Sequence, residues 1–172
     1  YALLLIVCGL LWTPVSAQEN LTYQQPPEEI LELVDVDLAP IASISRDRSV
    51  MLLIYRKAYK SIAELSEAEL RLGGLRINPQ TSIGSRTRFY SDLKLMKVGT
   101  DRDGQPIAGM PENPRLSNLS WSPDQQSIAF THTSAKGTEL WYIDVNQAEA
   151  HQLTGPILNA NMGNVINWFR DG

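Results

Sequence analysis

The chain is short of the residues from which reactive centres are usually built. Its 172 residues include a single cysteine, Cys8, which sits inside an apolar run. One thiol can form neither an internal disulfide nor a thiolate metal cluster. There are two histidines, His132 and His151, and no Gly-x-Ser-x-Gly sequence. That elbow is what presents the nucleophilic serine of an α/β-hydrolase. Positive charge is not in excess: 15 Lys and Arg stand against 19 Asp and Glu, for a formal net charge of −4. Without a basic stripe, nucleic acid is excluded as the expected partner. Only one long hydrophobic run occurs, residues 2–12.

That run, followed by the small-x-small triplet Val15-Ser16-Ala17, reads as a secretory signal peptide over residues 1–17. It is too short for a membrane span, so no span is expected once it is removed. Removal takes Cys8 with it. Export of a chain without disulfides predicts a bacterial periplasm or cell surface. The chain starts with Tyr1 and lacks the basic residues that open a leader, so the leader is expected to be truncated at its start. The sequons at Asn20 and Asn118 are read as chance matches.

What is present is a repeat. Leu119-Ser120-Trp121-Ser122-Pro123-Asp124 reads as a strand that ends in an Asp-centred turn, and so does Ile166-Asn167-Trp168-Phe169-Arg170-Asp171. Both the tryptophans and the aspartates of the two phrases are 47 residues apart, a propeller-blade period. A third, weaker copy runs through Ile44 to Asp47. Setting Asp47 on Asp124 places Ile44 on Trp121, Met51 on Ile128 and Leu53 on Phe130. The 77-residue offset exceeds the period by 30, which an insertion over residues 57–88 supplies.

The second copy predicts strands at about 117–121, 127–133, 138–145 and 150–154. The first predicts strands around 49–55, 91–98 and 105–110. The expected fold class is all-β: an incomplete β-propeller of about two and a half four-stranded blades with a short helical insertion. Residues 18–40 read as an N-terminal arm, with a turn or two of amphipathic helix around Ile30 to Val34. Residues 41–172 hold the blades. Open strand edges and an uncovered blade face predict aggregation or poor order for residues 18–172 made alone.

Within the insertion, Ser66-Glu67-Ala68-Glu69 has the form of a capping box. With Leu65, Leu70 and Leu72 it predicts a helix that Gly73-Gly74 ends. Arg71, Arg76, Arg86 and Arg88 follow, with few acids after Glu69. Arginine in a loop can grip a carboxylate bidentately. The plainer reading, which is preferred, is pairing with Glu64, Glu67 and Glu69, or plain solvation. His132 and His151 read as packed or solvated, and Asp124 and Asp171 as turn residues. No catalytic residue, metal site or cofactor motif is expected.

The phrases Pro26-Pro27-Glu28-Glu29-Ile30 with Leu33-Val34-Asp35, Leu72-Gly73-Gly74-Leu75-Arg76-Ile77, Ser85-Arg86 with Phe89-Tyr90, Trp121-Ser122-Pro123-Asp124, and Leu140-Trp141 with Asp144-Val145 occur in this order. Together they resemble the N-terminal part of exported bacterial serine peptidases of the prolyl oligopeptidase family, in the branch that includes glutamyl endopeptidases. The resemblance covers about Tyr23 to Gly172. It implies a β-propeller that gates access to a C-terminal α/β-hydrolase domain, absent from this chain, which carries a Ser-Asp-His triad. The implied partners are peptide substrates and that hydrolase domain. A glutamyl preference implies a cation for the substrate carboxylate, and Arg76 and Arg86 are the candidates. The alternative is a non-enzymatic periplasmic propeller that serves as a binding or scaffold module.

Overall fold

A computed structural model describes residues 25–34, 36–100 and 102–170. The expected leader, Cys8, Asp35 and Asp171 lie outside them. The chain divides into two compact units, 1–36 and 37–172. In the first, helix α1 spans Glu28–Val34, as expected for the arm, and buries none of its side chains. Glu28 and Glu29 in its first turn complement the positive end of the helix dipole.

The second unit is mainly β. Strands β1 (Ile41–Ile44), β2 (Val50–Tyr55), β6 (Asp92–Lys97) and β7 (Gln105–Pro106) form an antiparallel sheet in that order. Strands β8 (Leu116–Trp121), β9 (Ser127–Ser134), β10 (Gly137–Asp144) and β11 (Glu149–Gln152) form another. Both are meanders, and both follow the expected strand positions closely. Among the described residues there is no closed ring of sheets. The expected strand over 105–110 is cut short: Pro106 has no N–H for the ladder, and Ala108 bridges to Glu149 of the other sheet instead. Of the phrase from Ile166 to Asp171, expected to start a further strand, the described residues 166–170 form none.

The Asp-centred turns of the two meanders are the same structure. Ser45 Oγ donates to Asp47 Oδ1 and accepts from Val50 N at 3.1 Å. Ser122 Oγ donates to Asp124 Oδ1 and accepts from Ser127 N at 2.9 Å. Arg48 and Gln125, offset by the same 77 residues, both take positive φ, 62° and 64°. A Ser-x-Asp sequence favours this turn because hydroxyl and carboxylate together satisfy the backbone donors that the chain reversal leaves open.

The inward faces of the two sheets make one core. Leu52, Leu93, Leu116, Ile128, Phe130 and Ile143 are fully buried within it. Each contributes roughly 1.5–3 kcal/mol of apolar burial. Alternation in β2 and β6 puts Leu52 and Ile54, and Leu93 and Leu95, on the buried side. Phe130 stacks on Trp141 with ring centroids 6.2 Å apart.

The insertion differs from the expected helix. Helix α2 is a single turn, Ile62–Leu65, and its capping box is Ser61 with Glu64, one Ser-x-x-Glu earlier than expected. After it, β3 (Leu70–Leu72), β4 (Leu75–Asn78) and β5 (Ile83–Gly84) form a three-stranded sheet. Gly73 and Gly74 do not end a helix. They form the two-residue turn of the β3–β4 hairpin, with φ of 53° and 92°. Two positive φ values in succession are what a type I′ hairpin turn demands. The turn before β5 is tied to the second meander, where Thr138 Oγ1 donates to the Thr81 carbonyl at 2.8 Å, and to the segment that follows the meander, where Ala160 N donates to the Ser82 carbonyl at 2.7 Å.

Candidate functional site

The insertion leaves the first meander after β2, docks on the second, and returns at β6. An open cleft of about 1250 Å³ lies along it. Arg56, Lys57 and Lys60 come from the segment after β2. Arg71 and Arg76 come from the β3–β4 hairpin, Arg86 and Arg88 from the stretch between β5 and β6, and Arg115 from the residue before β8. The cleft thus gathers eight cationic side chains and three carboxylates, Glu64, Glu67 and Glu69, in a chain whose formal charge is −4. Tyr59, Phe89 and Tyr90 add aromatic surface.

The carboxylates are committed. Glu69 Oε1 accepts from Arg76 Nη1 at 2.8 Å and Arg71 Nε at 3.0 Å, and its Oε2 accepts from Ser85 Oγ at 2.6 Å. The Ser85 hydroxyl, with the two guanidinium groups, lowers the Glu69 carboxyl to about 2. Glu67 pairs with Arg115 at 2.9 Å, and that guanidinium stands 4.4 Å from the Phe89 ring centroid. Glu64 is lowered as well, first by the Ser61 backbone N–H of its own capping box.

The two arginines singled out in the sequence therefore differ. Arg76 is half-buried and ion-paired; Arg86 is exposed. Among the described residues no carboxylate lies within ion-pair distance of Arg86, and the same holds for Arg88, Arg56 and Lys57. The preferred reading has two branches: pairing with the insertion's glutamates describes Arg71 and Arg76, and solvation describes the exposed Arg86 and Arg88.

Neither histidine lines the cleft. His132 is buried in β9, its Nδ1 3.2 Å from Glu139 Oε2 and its ring edge-on to Trp141. Burial opposes ionisation of Glu139, but hydrogen bonds from Trp141 and His132 outweigh it and hold the carboxyl below its ordinary value. His151 lies against Tyr142 with centroids 5.1 Å apart. Among the described residues no cluster of three or more His, Cys, Asp or Glu could hold a metal ion, and no helix is long and apolar enough to cross a membrane. The cleft is equipped to recognise an anion; its lining holds no imidazole to activate a serine.

Sequence reasoning missed Arg115, Arg56, Lys57 and Lys60. Lys57 and Lys60 open the insertion and Arg56 directly precedes it, so all three could have been counted with its arginines. Arg115 is 27 residues beyond Arg88 and is brought to the cleft by tertiary contacts: the bridge between Tyr90 and Leu116, its pair with Glu67 and its stacking over Phe89.

The arrangement is that of a mainly β protein, two four-stranded meanders with a cationic cleft along an inserted sheet. Over 141 residues the chain is 33% identical to a probable glutamyl endopeptidase, chloroplastic, of Oryza sativa subsp. japonica, which covers 76% of this chain and 15% of that protein. It is 30% identical over 139 residues to the protein of the same name from Arabidopsis thaliana, covering 76% of this chain and 14% of that one. The chain thus spans about one seventh of the length of these relatives, and both are named as chloroplast proteins rather than bacterial periplasmic ones. No family model matches, and no solved structure matches.

Proposed function

We propose that the chain is the N-terminal propeller portion of an exported serine peptidase of the prolyl oligopeptidase family, in its glutamyl endopeptidase-like branch. In this reading each four-stranded meander is a blade, and the propeller gates peptide access to an α/β-hydrolase domain outside these residues. That domain would carry the Ser-Asp-His triad and break the peptide bond. The cleft would meet acidic side chains of the peptide, with Arg86 as the open contact and Arg76 beside it. Export would follow from the leader-like residues 1–17.

One coincidence carries the reading: a cleft with eight cations occurs in a chain similar to two proteins named for glutamyl cleavage. A guanidinium matches a carboxylate bidentately and rejects its amide isostere by losing the charge. The test is hydrolysis by the full-length protein of paired peptides that differ only in Glu or Gln. Cleavage favouring Glu and abolished by a serine-directed phosphonate is the expected result. A full-length protein that cleaves neither peptide would refute the reading.

A further inference from the structure

Strand register sets Arg71 directly opposite Arg76 in the β3–β4 hairpin. Like charges facing each other across a strand pair destabilise it. Here the repulsion is relieved by the carboxylate of Glu69, the residue just before β3. Its two oxygens take three donors: both guanidinium groups on Oε1 and the Ser85 hydroxyl on Oε2. Ser85 is itself fixed, since its N–H donates to the Arg76 carbonyl at 2.9 Å and its carbonyl accepts from Lys60 Nζ at 3.2 Å. Hairpin register therefore sets the two arginine backbones opposite each other, and main-chain contacts hold Ser85 beside them. Neither constraint involves the Glu69 side chain.

We propose that Arg71, Arg76 and Ser85 form a carboxylate receptor that Glu69 fills from within, and that the side-chain carboxylate of an acidic peptide enters it by displacing Glu69. The seat opens on the cleft already described, so this inference rests on the reading of that cleft as the meeting place for acidic peptides. The exchange costs little in hydrogen bonds, because one carboxylate replaces another on the same donors. The pair with Arg71, whose side chain is largely in solvent, is also weak. Glu69 has the advantage of being tethered: a short tether presents a group at an effective concentration of the order of millimolar. It therefore sets a threshold, and a single weak carboxylate competes poorly while a peptide held elsewhere in the cleft competes well. Arg86, which has no carboxylate of its own among the described residues, is the first hold. The Glu69 seat is the second.

The experiment measures binding of N-acetylglutamate, which offers no scissile peptide bond, to the full-length protein by saturation-transfer NMR. N-acetylglutaminamide, which carries no carboxylate, is the control. Glu69→Gln keeps the shape and removes the charge, and is expected to bind N-acetylglutamate roughly tenfold tighter than wild type, with N-acetylglutaminamide unchanged. Glu69→Ala should gain similarly, and Glu69→Gln combined with Arg76→Gln should lose the gain. If neither Glu69 variant binds N-acetylglutamate more tightly than wild type, the seat is not a receptor and the proposal is overturned. That failure leaves the wider reading standing if hydrolysis still favours Glu over Gln. A gain in Glu69→Gln without any such preference supports the seat and removes the peptidase reading of the cleft.

Discussion

Trp168 Nε1 donates to Ser120 Oγ at 3.0 Å, and one repeat earlier Trp121 Nε1 donates to Ser43 Oγ at 2.9 Å. Ser43 and Ser120 occupy the same position in successive units, at the offset of 77 residues that also superimposes the Asp turns. Each tryptophan thus reaches back to the same site of the unit before it. A repeated contact of this kind means that one packing relation recurs from the first unit to the second and from the second to residue 168. Stacked repeats are stabilised by such nearest-neighbour contacts.

If the bond fastens neighbouring units, Trp121→Phe and Ser43→Ala should each destabilise the full-length protein by about 1 kcal/mol, and the double variant by little more than either. The Trp168 and Ser120 pair should show a coupling of the same sign and similar size. Chemical-denaturation midpoints in a double-mutant cycle provide the check. Additive effects at both pairs would show that the bonds do not couple the units.

The turn carboxylates make stability depend on pH. Hydrogen bonds from Ser45, then from Ser49, lower Asp47 from 3.8 to about 2, and Ser122 lowers Asp124 in the same direction. A depressed folded-state value means that the stabilisation is fully present above pH 3.8 and is lost as pH falls through about 2. Asp47→Ala should therefore be less stable than wild type at pH 6, and the gap should close by about pH 2. Carboxyl NMR titration should place the Asp47 midpoint well below an ordinary aspartate.

The shared core should be sensitive to volume. Phe130 is fully buried between the sheets and stacks on Trp141. Phe130→Ala is expected to cost about 3–5 kcal/mol and Phe130→Leu clearly less. Urea unfolding of the full-length protein measures both.

The hairpin turn gives a conformational test. A Cβ at Gly74 would meet nothing within 4 Å, so any cost of Gly74→Ala comes from its φ of 92° alone. That cost should be about 1–2 kcal/mol. Gly73→Asn should be tolerated better, because Asn enters the left-handed region readily. Amide exchange of the β3 and β4 residues reports the loss locally.

The meanders were legible because their signals are local. Alternation marks Leu52 and Ile54, Ser-x-Asp marks the turns, and the offset of 77 residues relates them. The insertion misled because its signals serve two structures. Ser-x-x-Glu occurs at residues 61–64 and again at 66–69, and only the first caps a helix. Glu67 and Glu69 are drawn instead to Arg115 and to Arg71 with Arg76, through contacts that depend on tertiary placement. Gly-Gly suits a helix end and a type I′ turn equally; the alternation Leu70-Arg71-Leu72 favoured the strand. The arginine cluster was visible in the insertion, but which members were already paired was not. Arg76 and Arg86 look alike in sequence, and they separate only when the position of Glu69 is known.

The most direct test of the cleft's role compares Glu and Gln substrates in the full-length protein, wild type against Arg86→Ala. If Arg86 is the open hold for an acidic side chain, the ratio of kcat/KM for Glu over Gln should fall roughly tenfold or more, chiefly through the Glu substrate. An unchanged ratio in Arg86→Ala, with wild-type cleavage of both substrates, would contradict the account.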